Sequence, residues 1–230
     1  MFVQFLVEDI SGERLIHAIM AKYNLEISDM PIEYKIRSYR GIGGLRKGPN
    51  AKDIKSEQLL TELPKRMRAF NVELKYNNEA ALFIICDNDT RDTPVFKNKL
   101  EETARLNGIS IDYVFCIAVE EMEAWLLGDR AAIYAAYPNL NDRVRSKHPQ
   151  YVQDSICGTW EFLADMLSKK GIGQFRKENP TFVEIGIKKS EWAQNIGEHL
   201  SIRDNVSPSF KYFLDELDKR IAKNVKTGQC

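Results

Sequence analysis

Apolar and polar positions follow two rhythms along this chain, and the switches between them lay out its elements. Residues 2–7 (FVQFLV) are a short, β-rich apolar run that reads as a buried strand. Leu15, Ile16, Ile19 and Met20 follow at helical spacing, with Ser11 as the expected N-cap. Residues 32–39 alternate as a second strand does, and Gly41-Ile42-Gly43-Gly44 is a loop. Ile54, Leu59, Leu60, Leu63 and Met67 predict a helix, with Pro64 as a break or restart. Residues 80–86 (AALFIIC) are the strongest buried strand and end abruptly in Asp87-Asn88-Asp89-Thr90. A helix over 94–106 stops at Asn107-Gly108, a strand covers 111–119, and a helical pattern over 120–127 follows at once.

Strands alternating with helices, each strand nearly continuous in apolar residues, predict an α/β fold with a mainly parallel sheet flanked by helices. Beyond Asp129 the pattern turns helical, over 160–167, over 191–196, and from the Ser207-Pro208 cap onward. Phe210, Phe213, Leu214, Leu217 and Ile221 share one face of that last helix, which reads as core packing, and the polar tail from Lys219 is expected to fray. The expected organisation is an α/β domain over 1–130 with a helical C-terminal extension over 131–230 packed on it.

Composition narrows the class. With 43% hydrophobic residues the 230-residue chain can build a core, and its 29% charged residues are usual for a soluble protein. No apolar run is long enough to cross a bilayer, and the N-terminus lacks the pattern of a signal peptide. Cys86, Cys116, Cys157 and Cys230 are scattered without a CxxC pair, which predicts reduced thiols and a cytoplasmic protein. Net charge is zero, yet Lys35, Arg37, Arg40, Arg46, Lys47, Lys52, Lys55, Lys65, Arg66 and Arg68 crowd one segment against Asp53, Glu57 and Glu62. A basic lobe beside an acidic centre suits an anionic substrate held over metal ions; two solvated faces explain it equally.

Three expected strand ends carry acids: Glu8, then Asp87 and Asp89, then Glu120, Glu121 and Glu123. In parallel sheets ligands bind at the carboxyl ends of the strands. Residues two apart in a strand point the same way, so an Asp-x-Asp can present both carboxylates to one hard cation such as magnesium. The same four residues also suit a turn with a helix cap. Glu120 and Glu123 fall on one helix face, either as site residues or as first-turn acids favoured by the helix dipole. The glycine loop lacks Walker spacing and is more simply a turn. His17, His148 and His199 show no metal-ligand spacing.

The series Val7-Glu8-Asp9, Glu62-Leu63-Pro64-Lys65-Arg66-Met67-Arg68, Asp87-Asn88-Asp89, Glu120-Glu121-Met122-Glu123-Ala124-Trp125-Leu126-Leu127, Lys189-Ser190-Glu191-Trp192-Ala193 and Ser207-Pro208-Ser209-Phe210 resembles an uncharacterised bacterial family with a TOPRIM-like (topoisomerase–primase) fold. That family is related to the TOPRIM domains of the overcoming-lysogenisation-defect nucleases. The resemblance spans nearly the whole chain and implies Glu8, Asp87 and Asp89 as metal-site residues for Mg2+ or Mn2+. It also implies Glu123 as an outer ligand or water-orienting group, and Lys188 or Lys189 as an assisting lysine. The chain departs from the TOPRIM pattern at Asp9, where glycine is usual, and at Gly12, where an acid often stands; Glu13 comes one place late.

The expectation is therefore a metal-dependent phosphoryl-transfer enzyme, a nuclease on DNA or RNA, with a place in a defence system as one setting. Glu8, Asp87 and Asp89 bind metal in this reading; Glu120, Glu123 and Lys189 assist catalysis; Arg40, Arg46 and Lys47 steer a nucleic-acid backbone. The related nucleases often carry an ATPase domain and this chain shows no P-loop, so the resemblance implies a separate ATPase subunit as partner. Two rivals stand beside it: a non-catalytic TOPRIM-like module that binds nucleic acid or a partner, and a hydrolase of a small phosphate ester.

Overall fold

The computed structural model describes residues 1–27, 32–43, 58–155 and 157–227. Its elements run β1 (Phe2–Val7), α1 (Ile10–Glu26), β2 (Glu33–Ser38), α2 (Leu59–Glu73), β3 (Ala80–Asp87), α3 (Thr93–Leu106), β4 (Tyr113–Ala118), α4 (Glu123–Leu127), α5 (Arg130–Ala136), α6 (Asn141–Lys147), α7 (Thr159–Leu167), α8 (Ile172–Glu178), α9 (Phe182–Gly197) and α10 (Pro208–Thr227). The four strands pair in the order β2-β1-β3-β4, all parallel. Every strand therefore ends at the same edge, which brings the residues after β1, β3 and β4 together.

Strand alternation divides the core between the two faces. Phe5, Val7, Phe83, Ile85 and Cys116 face one way and pack with α1 and the C-terminal helices. Leu6, Ile84, Cys86 and Phe115 face the other way and pack with Leu59, Leu60, Leu63 and Met67 of α2 and Phe96 and Leu100 of α3. The core on the first face runs without interruption from Val3 to Leu217. Its centre is Trp125, stacked on Phe213 at 5.2 Å between ring centroids and edge-on to Phe210 at 5.4 Å. The Trp125 indole N–H donates to Ser209 Oγ at 2.9 Å. Two of the six quoted segments, at 120–127 and 207–210, thus meet as a packed, hydrogen-bonded joint. The parallel α/β architecture with a helical C-terminal part is as the hydrophobic pattern predicts.

Several local expectations need correction. The cap of α1 is Asp9, not Ser11: its Oδ1 accepts from Gly12 N at 2.9 Å and from Ser11 Oγ at 2.7 Å. Pro64 lies inside α2 without ending it, because the buried stripe of Leu59, Leu60, Leu63 and Met67 holds the helix to the sheet. The last helix continues to Thr227 instead of fraying from Lys219. The glycine loop acts as a turn: Gly41 and Gly43 have positive φ, and the carbonyls of Gly41 and Ile42 accept from Leu59 N and Leu60 N at the start of α2.

Helix α9 lies close against α1. A Cβ at Gly197 would stand 2.9 Å from Ala18 Cβ, nearer than such atoms approach. Gly197→Ala is therefore expected to lower stability by about 1–3 kcal/mol despite alanine's better helix propensity. Ala18→Gly in the same chain should recover part of that loss. Urea denaturation of the two single variants and the double variant measures the coupling, and additive effects would show that the two helices do not meet there.

Candidate functional site

Asp87 is the last residue of β3 and is 8% exposed. Its Oδ1 is sealed from solvent and has no hydrogen-bond partner. Burial, then the neighbouring charge of Glu8, raise its carboxyl well above the ordinary range; Lys189 opposes this, and Glu123 and Glu121 add to it. Glu8 follows β1 directly, next to β3 in the sheet. Its Oε2 accepts from Asp87 N at 3.4 Å. Burial raises Glu8 to about 7, with the charges of Asp9 and Asp89 adding.

The third contribution comes from the segment after β4. Glu123 opens α4, is 2% exposed, and is likewise raised by burial to about 7. Its Oε2 lies 3.2 Å from Lys189 Nζ, within ion-pair range but without hydrogen-bond alignment. Lys189 comes from α9, and its Nζ also reaches Glu121 Oε1 at 3.4 Å. Its side chain is 15% exposed. Burial alone would lower the lysine's pKa; Glu123, Glu121, Asp87 and Asp9 outweigh that and raise it, so the ammonium stays charged.

The structure thus gathers Glu8, Asp87, Glu123 and Lys189 at one edge. It does not gather all the expected residues equally. Asp89 does not continue the strand: its φ is +48°, its side chain is 44% exposed, and it pairs with Arg91. The alternation that would aim it with Asp87 ends one residue too soon. Glu120 shares no helix face with Glu123, because α4 begins only at Glu123 and Glu120 has φ +65°. The Glu120 carboxylate points to the start of α7, where it accepts from Gly158 N and from Thr159 N at 2.9 Å. Burial raises it to about 7 in that position. Glu13 accepts from Ser38 Oγ at the end of β2.

Arg40 is exposed and sits between Tyr39, whose N–H donates to Val7 O at 3.2 Å, and Gly41, whose N–H donates to Glu8 O at 3.1 Å. It therefore flanks the Glu8 end of the site. Arg46 and Lys47 lie outside the described residues.

Two residues that pattern reading gave no role shape this edge. Asn88 is 3% exposed and fully engaged: Nδ2 donates to Arg91 O at 2.8 Å and Thr93 Oγ1 at 2.6 Å, and Oδ1 accepts from Glu120 N. With Asp89 N donating to Glu120 O at 3.0 Å, it locks the loop after β3 to the loop after β4. Glu121 divides its carboxylate between Lys189 and the start of α7, accepting from Thr159 Oγ1 at 3.1 Å and Trp160 N at 3.2 Å. Their only sequence signal was position beside the conspicuous acids.

Among the described residues, no three His, Cys, Asp or Glu side chains converge so as to hold one ion. Magnesium and manganese do not require three: such sites commonly use one or two carboxylates, with water and substrate phosphate completing the shell. Glu8 and Asp87, hard oxygen donors with one buried oxygen left without a partner, fit that demand.

Fold and site define a parallel α/β protein with a buried carboxylate–ammonium cluster at its strand ends. A comparison with protein families matches residues 4–218 to a domain of unknown function, DUF4276, and the chain belongs to that family. No curated protein and no solved structure matches the chain.

The raised acids fix the sign of a pH effect. Between about 4.5 and about 7 the folded chain holds protons on Glu8, Glu120 and Glu123 that the unfolded chain has released. In chelator, the contribution of these three groups is therefore fully present below that window and is lost as pH rises through it, while the lysine stays protonated throughout. Urea midpoints from pH 5 to 8 should fall for the parent and change less for Asp87→Asn, which relieves Glu8 of its neighbour. A parent midpoint that rises over this range would contradict the assignment.

Proposed function

We propose that this protein is a magnesium- or manganese-dependent phosphoryl-transfer enzyme, a nuclease acting on DNA or RNA. The observation that carries the reading is Asp87 Oδ1, a buried carboxylate oxygen with no partner, beside Glu8 at the ends of two adjacent parallel strands. Leaving such a group unsatisfied is costly, and a cation that takes the oxygen as a ligand would remove that cost. The resemblance to TOPRIM-type nucleases at Glu8 and Asp87 points the same way.

In this reading Glu8 and Asp87 hold the divalent ion. The chemistry such an ion supplies is neutralisation of charge on a phosphoryl oxygen and easier deprotonation of water. Lys189 keeps a fixed positive charge next to the reacting phosphate, where preorganised charge in a site shielded from water stabilises the transition state. Glu123 and Glu121 hold that ammonium in place. Arg91, at the rim with Asp89, and Arg40 beside Glu8 would meet the nucleic-acid backbone. An ATPase subunit as partner is carried only by the resemblance.

The test is cleavage of single- and double-stranded DNA and RNA in magnesium and in manganese. Asp87→Asn should reduce turnover by about 10²–10³-fold, as expected for loss of one charge-stabilising group. Asp89→Asn should cost less, since its carboxylate is partly solvated and paired. Equal activity of parent and Asp87→Asn would place catalysis elsewhere. Cleavage of mononucleotides or simple phosphate esters with polymers left intact would favour the small-ester reading.

A further inference from the structure

Each acid at this edge can be followed to the group that balances it. Asp89 is paired with Arg91. Asp9 caps α1. Glu120 caps α7, and Glu121 shares itself between α7 and Lys189. Glu123 faces Lys189. Glu8 and Asp87 remain: a single 3.4 Å contact from Asp87 N reaches Glu8, and Asp87 Oδ1 has no partner while more than nine-tenths of its residue is buried.

We propose that Lys189 is the built-in second cation of this site, so that each chain takes one divalent ion, at the Glu8–Asp87 pair, and none at Glu121–Glu123. The proposal rests on the metal-dependent reading above and specifies its stoichiometry.

A second divalent ion would need the Glu121 and Glu123 oxygens that the ammonium already engages. It could have them only by expelling a side chain that is 15% exposed. Helix α9 cannot simply withdraw with it, because Gly197 of the same helix is in close contact with Ala18 of α1. A tethered ammonium also does what a second ion would do here, without having to be captured from solution: it offsets the charge of two carboxylates next to a phosphate. It brings one charge where an ion brings two, enough to hold the pair of acids but not enough to repel the ion at Glu8 and Asp87 strongly.

The experiment is an equilibrium titration with Mn2+ alone, following free Mn2+ by electron paramagnetic resonance, on the full chain in its folded state. The parent should bind one ion, and Asp87→Asn should lose it or bind at least 10-fold more weakly. Lys189→Met should bind a second ion, because Glu121 and Glu123 are left without their cation. Lys189→Arg, which keeps the charge, should stay at one, and Glu123→Gln with Lys189→Met should return to one. Two ions on the parent, or a Lys189→Met variant that stays at one, would each overturn the proposal while leaving the metal-dependent reading in place; an unchanged ion on Asp87→Asn would overturn the proposal and move the metal away from the Glu8–Asp87 pair on which that reading rests. A parent that binds none would overturn both. If Lys189→Met does not fold, the ion count of the parent and of Lys189→Arg still decides.

Discussion

A buried ammonium group is costly unless opposite charge surrounds it, with an effective penalty of several kcal/mol per ion. Lys189 meets that requirement through acids supplied from elsewhere in the chain, and the rest of the molecule is arranged so that it can. The parallel sheet delivers Asp87 and the segment carrying Glu121 and Glu123 to one edge. Helix α9 delivers the lysine to the same edge, and its close packing on α1 fixes how far it reaches. The C-terminal helices are thus joined to the sheet twice, by the continuous apolar core around Trp125 and by this charge cluster. Neither contact can be given up separately: moving α9 would strand buried carboxylates, and removing the carboxylates would strand the lysine.

The two loops that carry the acids are held by hydrogen bonds rather than by packing. Asp89 and Glu120 both adopt positive φ, a conformation that L side chains rarely take and that costs of order 1–3 kcal/mol when imposed. Asn88 is what imposes it, tying both loops together through its amide while its own backbone N–H donates to Ala118 O at 3.2 Å. The result is an edge where Asp87 faces inward with one oxygen free and Asp89 faces outward to Arg91. Two residues of positive φ thus stand beside a buried carboxylate oxygen that has no hydrogen-bond partner.

Much of this was legible from residue pattern. The four strands are marked by their continuous apolar runs, and a parallel sheet puts whatever follows those runs on one side. That reasoning finds Glu8, Asp87 and Glu123 without any structure. It misplaces Asp89 and Glu120 for one reason: side-chain direction depends on where a strand or helix stops, and periodicity does not fix boundaries to a single residue. Lys189 was nominated by resemblance only. Its partners lie 66 and 68 positions away, and no local rhythm reports a long-range ion pair. Pro64 misled in the opposite direction, since the apolar stripe beneath α2 outweighs the local cost of the proline.

The quoted segments also divide by the work they do, which bears on how far a resemblance can carry function. Trp125, Ser209 and Phe210 form a joint between sheet and C-terminal helix and face no solvent-accessible chemistry. Trp192, one turn along the same helix from Lys189, packs on Phe175 at 5.5 Å between ring centroids. Such residues serve the packing of the core, whatever else the chain does. Glu8 and Asp87 are different. Their mutual repulsion and burial work against folding, and replacing Asp87 with a neutral group would ease both. Residues that a fold would be more comfortable without need a reason other than the fold, and that physical argument, more than the likeness of the segments, is what supports reading Glu8 and Asp87 apart from the structural joint.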